Sequence, residues 1–110
     1  MSDYGTSRYE SRYNGFRYQG VLWNENSEDH IARHGVAPSE VEEALFEAPR
    51  YIATAPDGAQ IVFGQTYAGR YLVIVVADAL DPTADHGDCF VVTAREQTER
   101  EKRTFRRKGR

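Results

Sequence analysis

His30 and His34 stand four residues apart in the segment His30-Ile31-Ala32-Arg33-His34-Gly35, so a helix there sets both imidazoles on one side. The spacing suits a metal-binding pair. The intervening Ile31-Ala32-Arg33 lacks the glutamate of an H-E-x-x-H motif, His86 lies in a remote loop, and no set of thiols exists for a structural zinc, so neither a metal nor another cofactor is expected. Cys89 is the single cysteine of the chain and reads as a small buried hydrophobe at a strand entrance, with no base beside it. Gly58, Gly64, Gly69 and Gly87 are isolated turn glycines and form no phosphate-cradling loop. Glu40, Glu42, Glu43 and Glu47 read as the solvated side of a helix. Three groups at element ends stand out instead. Arg70 follows the Ala68-Gly69 turn, Arg95 ends the last strand, and His34 ends the first helix before Gly35. Cations so placed can surround a phosphate, because the planar guanidinium fork donates two parallel bonds, and imidazole exchanges protons near neutral pH. The competing reading pairs both arginines with the acidic body of the chain.

The chain has 110 residues, 14 Lys+Arg against 17 Asp+Glu, and a net charge of −3. That mild value conceals an asymmetry: residues 95–110 carry +5 and the preceding 94 carry −8. An acidic body with a basic end points to a polyanionic partner, or to a solubilising tail. Residues 1 to about 15 are mostly Tyr, Arg, Ser and Gly without period, and Arg8, Arg12 and Arg17 interleave with Tyr4, Tyr9, Tyr13 and Tyr18. They read as a disordered leader whose composition can also stack on and neutralise RNA. The length allows one domain, expected over 16–107 with a basic tail at 108–110. No apolar run approaches the roughly 20 residues that span a bilayer, and the opening residues resemble no signal peptide. A soluble cytoplasmic protein with no membrane partner is the expectation.

These residues need elements to position them. Phe16, Tyr18, Val21, Leu22 and Trp23 suggest a first strand from Phe16 to Trp23. Asn26 or Ser27 then caps a short helix, with Arg33 and His34 at its negative end and Gly35 as its left-handed stop. Pro38 opens a second helix, Val36 and Val41 can staple its start, and Val41, Ala44, Leu45 and Ala48 form one buried stripe ended by Pro49. The period then changes to strands over Tyr51–Thr54, Gln60–Tyr67 and Arg70–Asp78, joined by Pro56-Asp57-Gly58 and Ala68-Gly69 turns. The run 71–76 is apolar on both faces and belongs in a covered sheet interior. A polar loop over 79–88 leads to a strand from Cys89 to Ala94. Thr98-Glu99-Arg100-Glu101 is a capping box opening a third helix, with Phe105 its one large apolar anchor. Glu96 and Arg100, and Glu99 and Arg103, can pair at i+4, and the last residues of that helix are expected to be mobile. The order β-α-α-β-β-β-β-α, with hairpins linking the later strands, predicts an α+β domain with a mainly antiparallel sheet packed by helices.

Several stretches together resemble the BrnT toxins. Trp23-Asn24-Glu25-Asn26, Ile31 to Val36 and Glu40 to Phe46 look like that family's W-D-x-x-K, K-H-G-V and E-E-A-x-x-V-F blocks. Gly64-Gln65-Thr66, Gly69 to Val73 and Val91 to Glu101 look like its I-G, G-R-x-L-x-V and I-I-S-A-R-x-A-x-x-x-E-R blocks. The likeness runs in one order over about residues 20 to 107 and is closest to a divergent branch. It implies a RelE-like fold and a metal-independent endoribonuclease, the toxin of a type II toxin–antitoxin module. It also implies neutralisation by a ribbon-helix-helix antitoxin, through which alone DNA is contacted. By that resemblance Arg70 and Arg95 form a phosphate clamp, His34 is the acid or base, and Arg33 takes the place of the K-H-G lysine. Arg100 and Arg103 on the third helix would hold RNA backbone. Three positions depart from the pattern: Ser27 replaces the lysine of W-D-x-x-K, Asn24 its aspartate, and Phe90 the first arginine of the last strand. Loss of one well-placed transition-state donor costs on the order of a hundredfold in rate. The alternative is therefore a weak or inactive module binding RNA or protein on the same fold; a purely structural partner protein is a third reading.

Overall fold

The computed structural model describes residues 16–79 and 87–110. The leader at 1–15 lies outside the described residues, as does most of the polar loop with His86. Of the residues read as able to stack on RNA, Arg17 and Tyr18 are described, and Arg17 bonds Gly58 O while Tyr18 is buried in the core. The elements are β1 (Gly20–Val21), α1 (Glu25–Ala32), α2 (Pro38–Phe46), β2 (Arg50–Thr54), β3 (Gln60–Gln65), β4 (Tyr71–Asp78), β5 (Asp88–Glu96) and α3 (Glu99–Lys108). This is an α+β fold with one five-stranded sheet in the order β1-β5-β4-β3-β2. Four strands are antiparallel to their neighbours, and β1 runs parallel to β5.

The first strand is far shorter than its sequence suggests. Only Gly20 and Val21 pair, with Asp88 and Cys89, because the residues before them serve as side-chain packing. The Phe16 ring meets Tyr18 and Phe46 edge-on at centroid distances of 5.6 Å, and the Tyr18 hydroxyl donates to Asp78 at 2.6 Å.

The cap of α1 is Asn24, not Asn26 or Ser27. Its Oδ1 accepts from Ser27 N at 2.8 Å while Ser27 Oγ accepts from Asn24 N at 3.2 Å, a reciprocal box that moves the helix start toward the N-terminus. In α2, Glu40 reaches back to accept from Ala37 N at 3.0 Å, and Val36 and Val41 are buried at the staple positions. The helix ends at Phe46, so Ala48 lies beyond it and is exposed, leaving Val41, Ala44 and Leu45 as the buried stripe.

Both α1 and α2 lie on one face of the sheet. Ile31, Val41, Ala44 and Leu45 close against Val62, Leu72, Ile74, Val76, Val91 and Ala94, all buried in a single core. The backbone of α2 approaches β3 so closely that a Cβ on Gly64 would collide with the carbonyl oxygen of Ala44.

The other face receives α3. Thr98 and Glu101 form the expected capping box, and Phe105 is buried against Tyr71 at a centroid distance of 5.8 Å. Lys102 and Arg106 stand over the Tyr71 ring and Lys108 over Tyr51, each at about 5.5 Å, a cation–π layer that lets a highly charged helix pack on aromatic surface. The expected i+4 pairs do not form: Glu99 pairs with Lys102 and Glu96 with Arg70. The end of the chain is tied down, since Arg110 and Arg50 exchange two backbone hydrogen bonds at 2.9 Å.

Candidate functional site

The end of α1 is built by its sequence. Gly35 takes φ +71°, a left-handed conformation with little cost for glycine. Val36 N then donates to Ile31 O at 3.1 Å and Gly35 N to Ala32 O at 2.9 Å, the two bonds of a Schellman turn. His34 sits just before that turn, with its own N–H bonded to Ile31 O at 2.9 Å, and its ring is exposed.

Arg70 clips this turn to the rest of the domain. Its Nη1 donates to Gly35 O and to Glu40 Oε1, both at 2.8 Å, and its Nε donates to Glu96 at 2.9 Å. One guanidinium thus joins the α1–α2 turn, the start of α2 and the end of β5. The bonds to Glu96 and Glu40 raise its pKa above the ordinary value. Glu40 is pulled below the usual carboxylate range, first by the Ala37 N–H and then by Arg70. Of the two acidic partners Glu96 is the more exposed, with 61% of its side chain open to solvent against 27% for Glu40. Among the described residues Nη2 of Arg70 makes no hydrogen bond, and it lies 3.8 Å from where a Cβ on Gly35 would stand.

Sheet parity sends Arg95 elsewhere. Leu72, in the core under α2, is opposite Glu96, and Val73 is opposite Arg95, so Arg95 lies on the face that α3 covers. There it grips Glu101 through both guanidinium nitrogens, at 2.8 and 2.9 Å. This hydrogen bonding drives Glu101 down to about 2 and raises Arg95. The structure therefore ties Arg70 to the backbone turn that follows His34 and leaves Arg95 on the opposite face, so the two arginines do not form a single clamp. Both pair with carboxylates, but only Glu40, a partner of Arg70, belongs to the acidic body; Glu96 and Glu101 lie in the basic segment itself.

The remaining sequence candidates are free. Arg33 is exposed at the end of α1, and Arg100 and Arg103 are exposed on α3. Arg107 extends them into an i, i+3, i+7 stripe on the side of α3 away from Phe105. None of these four side chains makes a hydrogen bond or salt bridge among the described residues. The stripe spans about 10 Å at 1.5 Å per residue. Phe90, partly buried on β5, supplies no charge. Cys89 is fully buried, its thiol is pushed up to about 12 by burial and then by Asp88, and its Sγ donates to Gly20 O.

His30 is a further residue of this helix end to which the sequence assigns no role. His30, partly exposed one turn before His34, has its ring 5.7 Å from the His34 ring and its Nε2 3.3 Å from Thr93 Oγ1 on β5. The i, i+4 spacing signals it. A shallow cavity of roughly 470 Å³ opens on the other side of the same turn, between Glu28, Asp29, Ala32 and the start of α2, and its acidic lining is unsuited to phosphate. No cluster of three or more His, Cys, Asp or Glu residues gathers as a metal site among the described residues, and no helix among them is long and apolar enough to cross a membrane. No family model, curated protein or solved structure matches the chain.

Proposed function

We propose that the chain is a BrnT-like, RelE-like toxin: a metal-independent endoribonuclease of a type II module, neutralised by a cognate ribbon-helix-helix antitoxin. The observation that carries this reading is the Arg70 bond to Gly35 O at 2.8 Å, which ties a guanidinium to the backbone turn that follows His34, a proton carrier. RNA cleavage by its own 2′-hydroxyl needs that combination, because charge gathers on the phosphate while protons move on and off the flanking oxygens. In this reading Arg70 faces the phosphate once Glu96 swings away, and His34 serves as acid or base. Arg33, Arg100 and Arg103 hold the RNA backbone, while Arg95 positions α3 through Glu101. The −8 body restricts RNA to this edge. The protein works in the cytoplasm, where RNA and antitoxin are met.

The reading is tested by expression in a bacterial host. The protein alone should arrest growth and degrade RNA, and co-expression of a small ribbon-helix-helix protein encoded beside it should restore both. Unimpaired growth with intact RNA counts against it.

A second reading, a non-catalytic RNA-binding module, is favoured by one observation. Arg70 and Arg95 are occupied by carboxylates, whereas the α3 arginines are not. Salt-sensitive RNA binding without cleavage would select it.

A further inference from the structure

We infer that His30 is a second proton carrier, and that His30 and His34 together form a two-imidazole acid–base pair acting on an RNA phosphodiester with a free 2′-hydroxyl. This rests on the ribonuclease reading of the same corner. Cleavage by the internal 2′-hydroxyl requires two proton transfers at opposite ends of the reacting phosphorus. One imidazole takes the 2′-hydroxyl proton as the 2′-oxygen bonds to phosphorus. The bond from phosphorus to the 5′-oxygen breaks, and the other imidazole, starting protonated, gives its proton to that departing oxygen. The products are a 2′,3′-cyclic phosphate and a 5′-hydroxyl; every atom and proton is accounted for without a co-reactant. A single histidine cannot hold and lack a proton at once, so a second carrier is needed for both ends to be assisted in one step.

His30 has the placement for that part. Its ring centroid lies 5.7 Å from that of His34, with the ring planes at 70°, so one phosphate resting across the pair can meet a nitrogen from each. The His30 Nε2 contact to Thr93 Oγ1 at 3.3 Å ties one ring to the edge of β5, and the Schellman turn at Gly35 fixes the backbone of the other. Arg70 is bonded to the carbonyl of Gly35, the residue after His34, so the turn that ends the helix of the pair also carries a guanidinium, the kind of group that offsets charge building on a phosphate. Asparagine or glutamine at position 30 could keep the Thr93 contact but could not carry the proton.

The experiment uses the full chain and a short single-stranded RNA, beside the same RNA with sulfur in place of one bridging 5′-oxygen. A thiolate leaves without a proton, so loss of the general acid is repaired by the sulfur and loss of the general base is not. His30→Gln and His34→Gln, each checked for wild-type circular dichroism and thermal unfolding, should each cut ordinary RNA 10²- to 10⁴-fold more slowly. One of the two should return to within about tenfold of wild type on the sulfur substrate. His30→Gln cutting ordinary RNA at the wild-type rate overturns this inference alone, as does repair of both variants or of neither. No cleavage by the wild-type chain overturns the ribonuclease reading and this inference with it.

Discussion

Glu101 accepts both guanidinium nitrogens of Arg95, at 2.8 and 2.9 Å, and also the backbone N–H of Thr98 at 2.8 Å. One carboxylate thus closes the N-terminus of α3 and pins the helix to the last strand. That relationship assigns Arg95 to architecture; the proposed chemistry rests instead on His34 and Arg70, which the bond from Arg70 to Gly35 O links through the turn after His34.

Acid should weaken this anchor in a defined window. The folded-state pKa of Glu101 is depressed from 4.5 to about 2, so its contribution to stability is complete above about 4.5 and is lost as pH falls toward 2. With Arg95 43% exposed, screening reduces the pair to about 1 kcal/mol. Chemical denaturation followed from pH 6 to pH 2 should show Glu101→Gln losing about that much at pH 6 while its curve is flatter than wild type below about 4.5. Parallel curves would remove the ion pair from the account.

Gly64→Ala should destabilise the domain by about 1–3 kcal/mol, since the new methyl meets the Ala44 carbonyl and neither α2 nor β3 can yield without opening the core. Urea midpoints measure it. Unchanged stability would mean that α2 sits farther from the sheet.

The arginine stripe of α3 should govern RNA binding by charge alone. Replacing Arg100, Arg103 and Arg107 with Ala should reduce the slope of log affinity against log salt by about 2, given about 0.7 per phosphate on single strands. A retained slope would put the RNA elsewhere.

Much of this arrangement was legible in the sequence. The order of elements follows from apolar periods and turn residues, and the Thr98 box, the Gly35 stop and the Phe105 anchor stand where their chemistry requires. The misreadings share a cause: local signals do not reveal tertiary partners. Phe16 and Tyr18 alternate like a strand but are used to cover the core, and Asn24 outcompetes Asn26 because Ser27 can reciprocate its hydrogen bond. Arg70 and Arg95 both border strands, and only the pairing of Val73 with Arg95 and of Leu72 with Glu96 puts them on opposite faces. The i, i+4 spacing shows that His30 and His34 share one side of a helix, but spacing alone cannot show that Thr93 lies beside His30.

The central claim is that the His34–Arg70 corner cleaves RNA, and it is tested most directly by incubating the purified full chain with single-stranded RNA and with DNA of the same sequence, resolving the products and their ends. The account predicts RNA fragments ending in 2′,3′-cyclic phosphate with DNA untouched. Arg70→Ala should lower the rate by about a hundredfold or more, while Arg95→Ala should lower stability more than rate. RNA left intact by the wild-type chain, or cleaved equally well by folded Arg70→Ala, would contradict it.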